Sequence, residues 1–345
     1  VVILNKNDLA RFSRQLLMQD IGYEGMEKLM NSKVAIVGCG ALGSTQAEIL
    51  ARAGIKKIKV IDRDYIDLSN LHRTHMITEK DAIDTLPKAI ACKKWIKEID
   101  SSIEVESVID DFDSTNAEKF LNNVDLIIDG TDNLESRFLI NDFSVKYNIP
   151  WIYAGVSSWY GNVMFIKPNQ GACLRCLIPE TNNQNESCDI IPSIGTMTTL
   201  VSSISSNLAI RYLAGNEVPY GVLFVIDGRD ISLEKIKITK NEKCPTCGLH
   251  QYEFLEKKIS RNVVRICGTH AIEIRPEKFL NIDFIKKINK IKEKFNVISI
   301  NKYSIRVQRD TIQIVLMNNG LGIVEGINDV NIAKKLYDEL FNIVI

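Results

Sequence analysis

An apolar run, Lys33-Val-Ala-Ile-Val37, ends at Gly38 and passes directly into Gly38-Cys-Gly40-Ala-Leu-Gly43. A helix-like stretch from Leu42 to Arg52 follows and stops at Gly54. A short run of this kind, closed by a glycine turn and a helical pattern, predicts a buried parallel strand feeding a helix. In that context each glycine of the Gly-x-Gly-x-x-Gly spacing has a task. Gly38 permits the tight turn, Gly40 lets backbone approach a phosphate, and Gly43 packs helix on strand. The N–H groups and dipole of the helix start favour an anion. Asp62 closes the next apolar run, Ile58–Ile61, where a carboxylate accepts hydrogen bonds from ribose hydroxyls. A glycine turn that binds nothing would not need that acid. The pattern predicts a nucleotide site, and NAD is the default nucleotide for the motif taken alone.

Further units repeat the alternation. Helices are expected over 88–99, 117–121 and 135–147, with strands near Val105, at Leu126–Ile128 and at Trp151–Tyr153. This order predicts an α/β fold with a doubly wound, Rossmann-like sheet. After Gly155 the pattern changes to a strand or hairpin over 156–168, a polar loop over 180–193, a long helix from about Thr196 to Leu213, and strands at 222–226 and 232–238. These extend the sheet with antiparallel strands. The last segment, with a lysine-rich helix over 283–295, strands at 304–307 and 311–315 and a final helix over 331–341, reads as a small α+β appendage. The expected division is residues 1–256, with a nucleotide-binding half at about 30–155 and a cysteine-bearing half at about 156–250, then 257–345 as an accessory domain of unassigned role.

Lys+Arg and Asp+Glu both number 43, which excludes a broadly basic nucleic-acid binder. No apolar run is long enough to span a membrane, and Asp8, Arg11 and Arg14 interrupt the first residues in a way no signal peptide does. An amphipathic helix is expected over 8–18 instead. Of the eight cysteines, four form two pairs, Cys173/Cys176 and Cys244/Cys247. Paired Cys-x-x-Cys in a chain of this size reads as a metal site in a reducing cytoplasm. Two such knuckles supply four thiolates to a tetrahedral Zn²⁺, and a closed set of four is structural because no position remains for substrate. A redox dithiol is the competing reading.

Three residues beyond the ribose acid change the nucleotide expected. Asn70, Arg73 and Lys88 can reach a polyphosphate, whose extra charge requires several cations. Taken singly, Arg73 or Lys88 reads as a solvated surface charge. In Ile128-Asp129-Gly-Thr-Asp132-Asn133, at the same sheet edge, one acid can hold Mg²⁺ while Asn133 or Asp132 caps the following helix. Cys188, in the polar loop, is either an idle thiol or one that bonds covalently to a reactive intermediate. Arg11 and Arg14 share a helix face, either solvated or in a salt bridge, or contacting phosphate across a dimer interface.

The ordered set Arg11-Phe-Ser-Arg14-Gln15, Gly38-x-Gly40-x-x-Gly43, Asp62-x-Asp64, Leu68-Ser-Asn70-Leu-His-Arg73, Pro87-Lys88, Thr131-Asp132-Asn133 and the two cysteine pairs resembles the MoeB/ThiF/HesA adenylyltransferases, prokaryotic relatives of ubiquitin-activating enzymes. The likeness runs from about Ala10 to Gly248. It implies ATP-dependent adenylation of the C-terminal Gly-Gly carboxylate of a ubiquitin-like sulfur carrier, with release of pyrophosphate. It further implies that Gly40 and Ala41 lie against the nucleotide and that Asp62 holds the ribose. Ser69, Asn70, Arg73 and Lys88 would engage phosphates, Asp132 would act with Mg²⁺, and Arg14 would reach the partner's site in a homodimer. Cys188 matches a loop cysteine given a role in carboxylate or sulfur transfer in some members. Ala41, His72 and Leu86 depart from the family's usual Gly, Gln and Gln without removing a charge. The alternatives are a NAD-dependent Rossmann oxidoreductase, a tRNA-modifying relative, and a zinc scaffold with a regulatory nucleotide site.

Overall fold

In the computed structural model the described residues are 4–179, 192–257, 263–266, 271–276 and 280–345. Strands β1 (Lys33–Val37), β2 (Lys57–Ile61), β3 (Glu104–Val108), β4 (Leu126–Asp129) and β5 (Trp151–Ser157) are parallel. They are followed by antiparallel β6 (Tyr160–Ile166), β7 (Val222–Asp227) and β8 (Ser232–Lys237), in the order β3-β2-β1-β4-β5-β6-β7-β8. The order reverses at β1, between β2 and β4, and a crevice outside the carboxyl ends of strands at such a switch point is where these sheets bind ligands.

The residues of β1 show why the sheet is covered on both faces. Val34 and Ile36 join one core with Ala47, Leu50, Val201 and Leu208, while Ala35 and Val37 join another with Ile127, Phe138, Phe143 and Trp151. Side chains alternate across a strand, so a run apolar at every position needs a layer on each side. The first layer includes the helices Ala41–Ala53 and Gly195–Leu213. The long helix presents small polar residues where it meets its neighbour: Ser202 Oγ donates to the Leu42 carbonyl at 3.1 Å, and Gln46 Nε2 donates to Ser205 Oγ at 2.9 Å. These bonds pin the helix that leaves the glycine turn.

The helix expected over 8–18 is two short pieces, Lys6–Arg11 and Ser13–Leu16, broken at Phe12. Phe12 is buried with its ring close to Gly54, and Arg11 turns to donate to the Ile99 carbonyl at 2.8 Å. Arg11 and Arg14 therefore do not share a face of one continuous helix. A further helix, Gly22–Asn31, has little local signal, because two glycines weaken its propensity. Burial of Met26, Leu29 and Met30 outweighs that loss.

A second, antiparallel sheet contains β9 (Val263–Ile266), β10 (Ala271–Ile274), β11 (Asn296–Ile300), β12 (Ser304–Arg309), β13 (Ile312–Met317) and β14 (Gly322–Glu325), in the order β11-β12-β13-β14-β10-β9. Its core is packed with residues of the helices Phe284–Lys292 and Val330–Val344. Its other face meets Tyr65 and Ile109 of the first sheet's loops. No described helix is long and apolar enough to cross a membrane.

Candidate active site

The glycine turn leaves β1 with Gly38 at φ +84°, a left-handed conformation that favours glycine. Three glycine backbones stack tightly here. A Cβ on Gly43 would lie 1.9 Å from the Gly38 carbonyl oxygen, and one on Gly130, just after β4, would lie 2.4 Å from the same atom. Gly40 is different, since nothing lies within 4 Å of where its Cβ would be. It is the N-cap of the helix Ala41–Ala53 and offers no side-chain cap, so the helix's first N–H groups face open space. An anion is the natural partner for that space.

Asp62 stands against the turn. Its Oδ2 accepts from the Cys39 N–H at 2.6 Å and its Oδ1 from the Asp64 N–H at 2.7 Å. Burial pushes its carboxyl up to about 6, with Lys88 opposing that rise. Lys88 opens the helix Lys88–Ile99, and its Nζ donates to Asp64 Oδ2 at 2.9 Å. Burial works against the charge on both partners, but their attraction wins. The Lys88 ammonium is lifted above its usual range, and the Asp64 carboxyl is held below its own.

Residues Leu68–Asn70 form a single 3₁₀ turn capped by Asp67, which accepts from the Ser69 N–H at 2.8 Å. Asn70 Oδ1 accepts from the Asp67 N–H at 3.1 Å. Arg73 donates to the Ser69 carbonyl at 2.8 Å and has no carboxylate partner among the described residues. A cavity of ≈ 710 Å³ opens beside Arg73 and His75, walled on its far side by Gly195 and Thr199 of the long helix.

At the end of β4 the two acids separate in role. Asp129 is fully buried: Oδ1 accepts from the Thr131 N–H at 2.9 Å and hydroxyl at 2.7 Å, and Oδ2 accepts from Arg137 Nε at 3.0 Å. It has no room for a metal. Asp132 is exposed, its one side-chain hydrogen bond among the described residues an Asn133 amide at 3.5 Å, and can supply the single carboxylate that a phosphate-bound Mg²⁺ commonly uses. Asn133 is the helix cap, accepting from the Ser136 N–H at 2.8 Å.

Gly38, Gly40, Ala41, Gly43, Asp62, Asp64, Lys88 and the Asp129–Asn133 turn thus share the carboxyl edge of the sheet around its switch point. Arg14 does not. Its short helix docks by Phe12 and Arg11 near Gly54 and Ile99, at the amino ends of the strands, and Arg14 is exposed there. Cys188 lies outside the described residues.

The four paired cysteines come together from the segments after β6 and after β8, their sulfurs all within 4.8 Å of one another. Cys173 Sγ is 3.6 Å from Cys244 Sγ, and Cys176 Sγ is 3.4 Å from Cys247 Sγ. Four thiolates around Zn²⁺ at about 2.3 Å would be about 3.8 Å apart, so the set fits a zinc ion with slight expansion.

The sequence pattern of the ThiF family matches residues 12–246. The chain belongs to this family. A relative from Bacillus subtilis, a sulfur carrier protein ThiS adenylyltransferase, is 30% identical over 328 residues, covering 95% of this chain and 98% of the relative. The SAMP-activating enzyme E1 of Haloferax volcanii is 29% identical over 71% of this chain and 91% of its own length. Among solved structures, E. coli MccB with ATP superposes with a TM-score of 0.62 at 21% identity, over 71% of this chain and 77% of that one, a likeness of fold.

This ThiF-family site includes residues that motif reading passed over. Arg137 donates to Asp129, to the Thr131 carbonyl at 2.8 Å and to the Ala154 carbonyl at 2.9 Å, so it sets the turn that carries Asp132. Gln46 is fully buried and reaches the Asp129 carbonyl at 3.2 Å. Neither stands in a recognisable spacing. For Gln46 the available signal is an amide side chain on an otherwise apolar helix face, between Leu42 and Leu50.

Proposed function

We propose that this chain adenylates the C-terminal Gly-Gly carboxylate of a small ubiquitin-like sulfur carrier. A carboxylate oxygen bonds to the α-phosphorus of ATP, the α–β anhydride bond breaks, and pyrophosphate leaves with that bond's electron pair. The single observation that carries this reading is the largely buried Lys88 ammonium, paired with Asp64 next to Asp62, at the edge where the helix after Gly40 begins uncapped. A dinucleotide site needs the glycine turn and the ribose acid; an adenylating site also needs cations where charge develops.

Asp62 accepts from the ribose hydroxyls, and the N–H groups after Gly40 and Ala41 meet the phosphates. Ser69, Asn70, Arg73 and Lys88 gather the triphosphate, with Lys88 oriented by Asp64. Asp132 would hold Mg²⁺, which supplies charge neutralisation on the phosphates when bound. Little covalent help is required beyond aligning a carboxylate with a neutralised α-phosphate. Arg14, exposed and far from its own chain's turn, acts on the site of a second copy in a homodimer. Cys188 serves a later transfer step. The zinc is structural, tying the ends of the 156–250 half together, and residues 257–345 form a separate accessory domain. The family resemblance and the metal-site reading of the four cysteines support a cytoplasmic enzyme.

Mixing the full chain with a Gly-Gly-terminated carrier, ATP and Mg²⁺ should give carrier-dependent ATP–pyrophosphate exchange. Absence of exchange with every such carrier from the same organism would overturn the assignment.

A further inference from the structure

The nucleotide loop Asp62-Arg63-Asp64-Tyr65 sends alternate side chains in opposite directions, as extended chain does. Asp62 and Asp64 turn to the glycine turn and Lys88. Arg63 and Tyr65 turn to the second sheet. Arg63 lies 2.9 Å from Glu273 Oε2 and 3.4 Å from Asp111. Tyr65 donates to Glu325, which also accepts from Arg306 at 2.9 Å, and its ring packs with Val315, Met317 and Ile323.

Glu273 makes little sense within its own sheet. It is fully buried, and a buried carboxylate is costly unless it is paired. Its partners are Arg275, just past the end of the same strand at 2.7 Å, and Arg63 from the nucleotide loop. Arg275 in turn reaches Asp111 and, at 3.3 Å, Asp113, beyond the end of β3. Neighbouring contacts repeat the pattern: Ser304 Oγ donates to the Thr85 carbonyl at 2.8 Å, just before Lys88, and Asn319 donates to the Ile109 carbonyl at 2.5 Å. The second sheet thus grips the loops that carry Asp62, Asp64 and Lys88.

We propose that this sheet is a clamp on the nucleotide loop, with Glu273 and Glu325 as positioning residues that hold Arg63 and Tyr65 outward so that Asp62 and Asp64 face the nucleotide. The proposal rests on the reading of Asp62 as the ribose acid. Without Glu273, the Arg63 guanidinium keeps only Asp111 on the outward side and can turn onto the carboxylates on either side of it, where it competes with Lys88 for Asp64.

The test is MgATP affinity by calorimetry on the full chain, well below its melting temperature, with carrier-dependent exchange measured alongside. Glu273→Gln should weaken MgATP binding on the order of tenfold, within the range of couplings inside one network. The maximal exchange rate should stay within about twofold, since only ground-state nucleotide binding is lost. Tyr65→Phe, which removes a single hydroxyl, should weaken binding roughly threefold and decides the matter if Glu273→Gln does not fold. Glu339→Gln breaks a more exposed ion pair with Arg309 at 2.7 Å, remote from the loop, and should leave ATP affinity unmoved. Wild-type affinity in both Glu273→Gln and Tyr65→Phe would overturn the clamp. A wild-type chain that does not bind MgATP would overturn the nucleotide reading instead.

Discussion

Removing the Arg137 guanidinium should expose how strongly the turn after β4 depends on it. Arg137→Leu takes three donors away: from Asp129 Oδ2 at 3.0 Å, the Thr131 carbonyl at 2.8 Å and the Ala154 carbonyl at 2.9 Å. Asp129 is fully buried, and although it keeps the Thr131 N–H, the Thr131 hydroxyl and the Ala154 N–H at 3.2 Å, its charge loses its counter-ion. Breaking such a pair from one side costs about 3–5 kcal/mol, because the remaining charge is left uncompensated. Arg137→Lys keeps the charge but not the planar fork that serves three acceptors, so about 1–2 kcal/mol is expected. Urea unfolding of wild type and both variants, followed by fluorescence and circular dichroism, measures the ordering. A loss below about 1 kcal/mol for Arg137→Leu would refute the reasoning, since that is the scale of an ordinary solvent-compensated hydrogen bond.

The glycine turn offers a paired test: Gly43→Ala forces a Cβ to 1.9 Å from the Gly38 carbonyl and should cost about 3 kcal/mol in unfolding experiments. Gly40→Ala meets no atom within 4 Å and should leave apo stability within about 0.5 kcal/mol while weakening ATP binding. Asp62 titrates at about 6, raised by burial above the ordinary 3.8. Its contribution to apo stability is therefore fully present below the ordinary value and lost as pH rises through about 6. ATP binding has the opposite sign, because ribose hydroxyls donate to the carboxylate. Affinity should fall as pH drops through about 6, and Asp62→Asn should remove that inflection from pH-dependent calorimetry. Metal analysis should find one zinc per chain, and stripping it with a chelator should lower the melting temperature; a metal-free chain insensitive to chelators would contradict the zinc assignment of the four cysteines.

Much of this was legible in the sequence for a physical reason. Lys33–Val37 has no polar alternation because both its faces are covered, and Gly38 and Gly43 after it are fixed because any Cβ there would lie under 3 Å from backbone. The helix over Lys88–Ile99 and the cysteine pairs declare themselves by local pattern. Long-range packing does not. The break at Phe12 follows from burying its ring near Gly54, and nothing near Phe12 in sequence encodes that. Asp129 and Asp132 looked alike as acids after a strand, yet Arg137 claims one and leaves the other exposed. The role of Arg63 depends on Glu273, which lies far along the chain in another sheet.

The central claim is that a triphosphate, rather than a nucleotide of any kind, is held by Asn70, Arg73 and Lys88. Calorimetric affinities of Arg73→Met for MgATP and for AMP test it most directly. MgATP affinity should fall roughly tenfold or more, as expected for one lost charge-assisted contact, with AMP affinity unchanged. Equal losses for both nucleotides, or none for either, would contradict it.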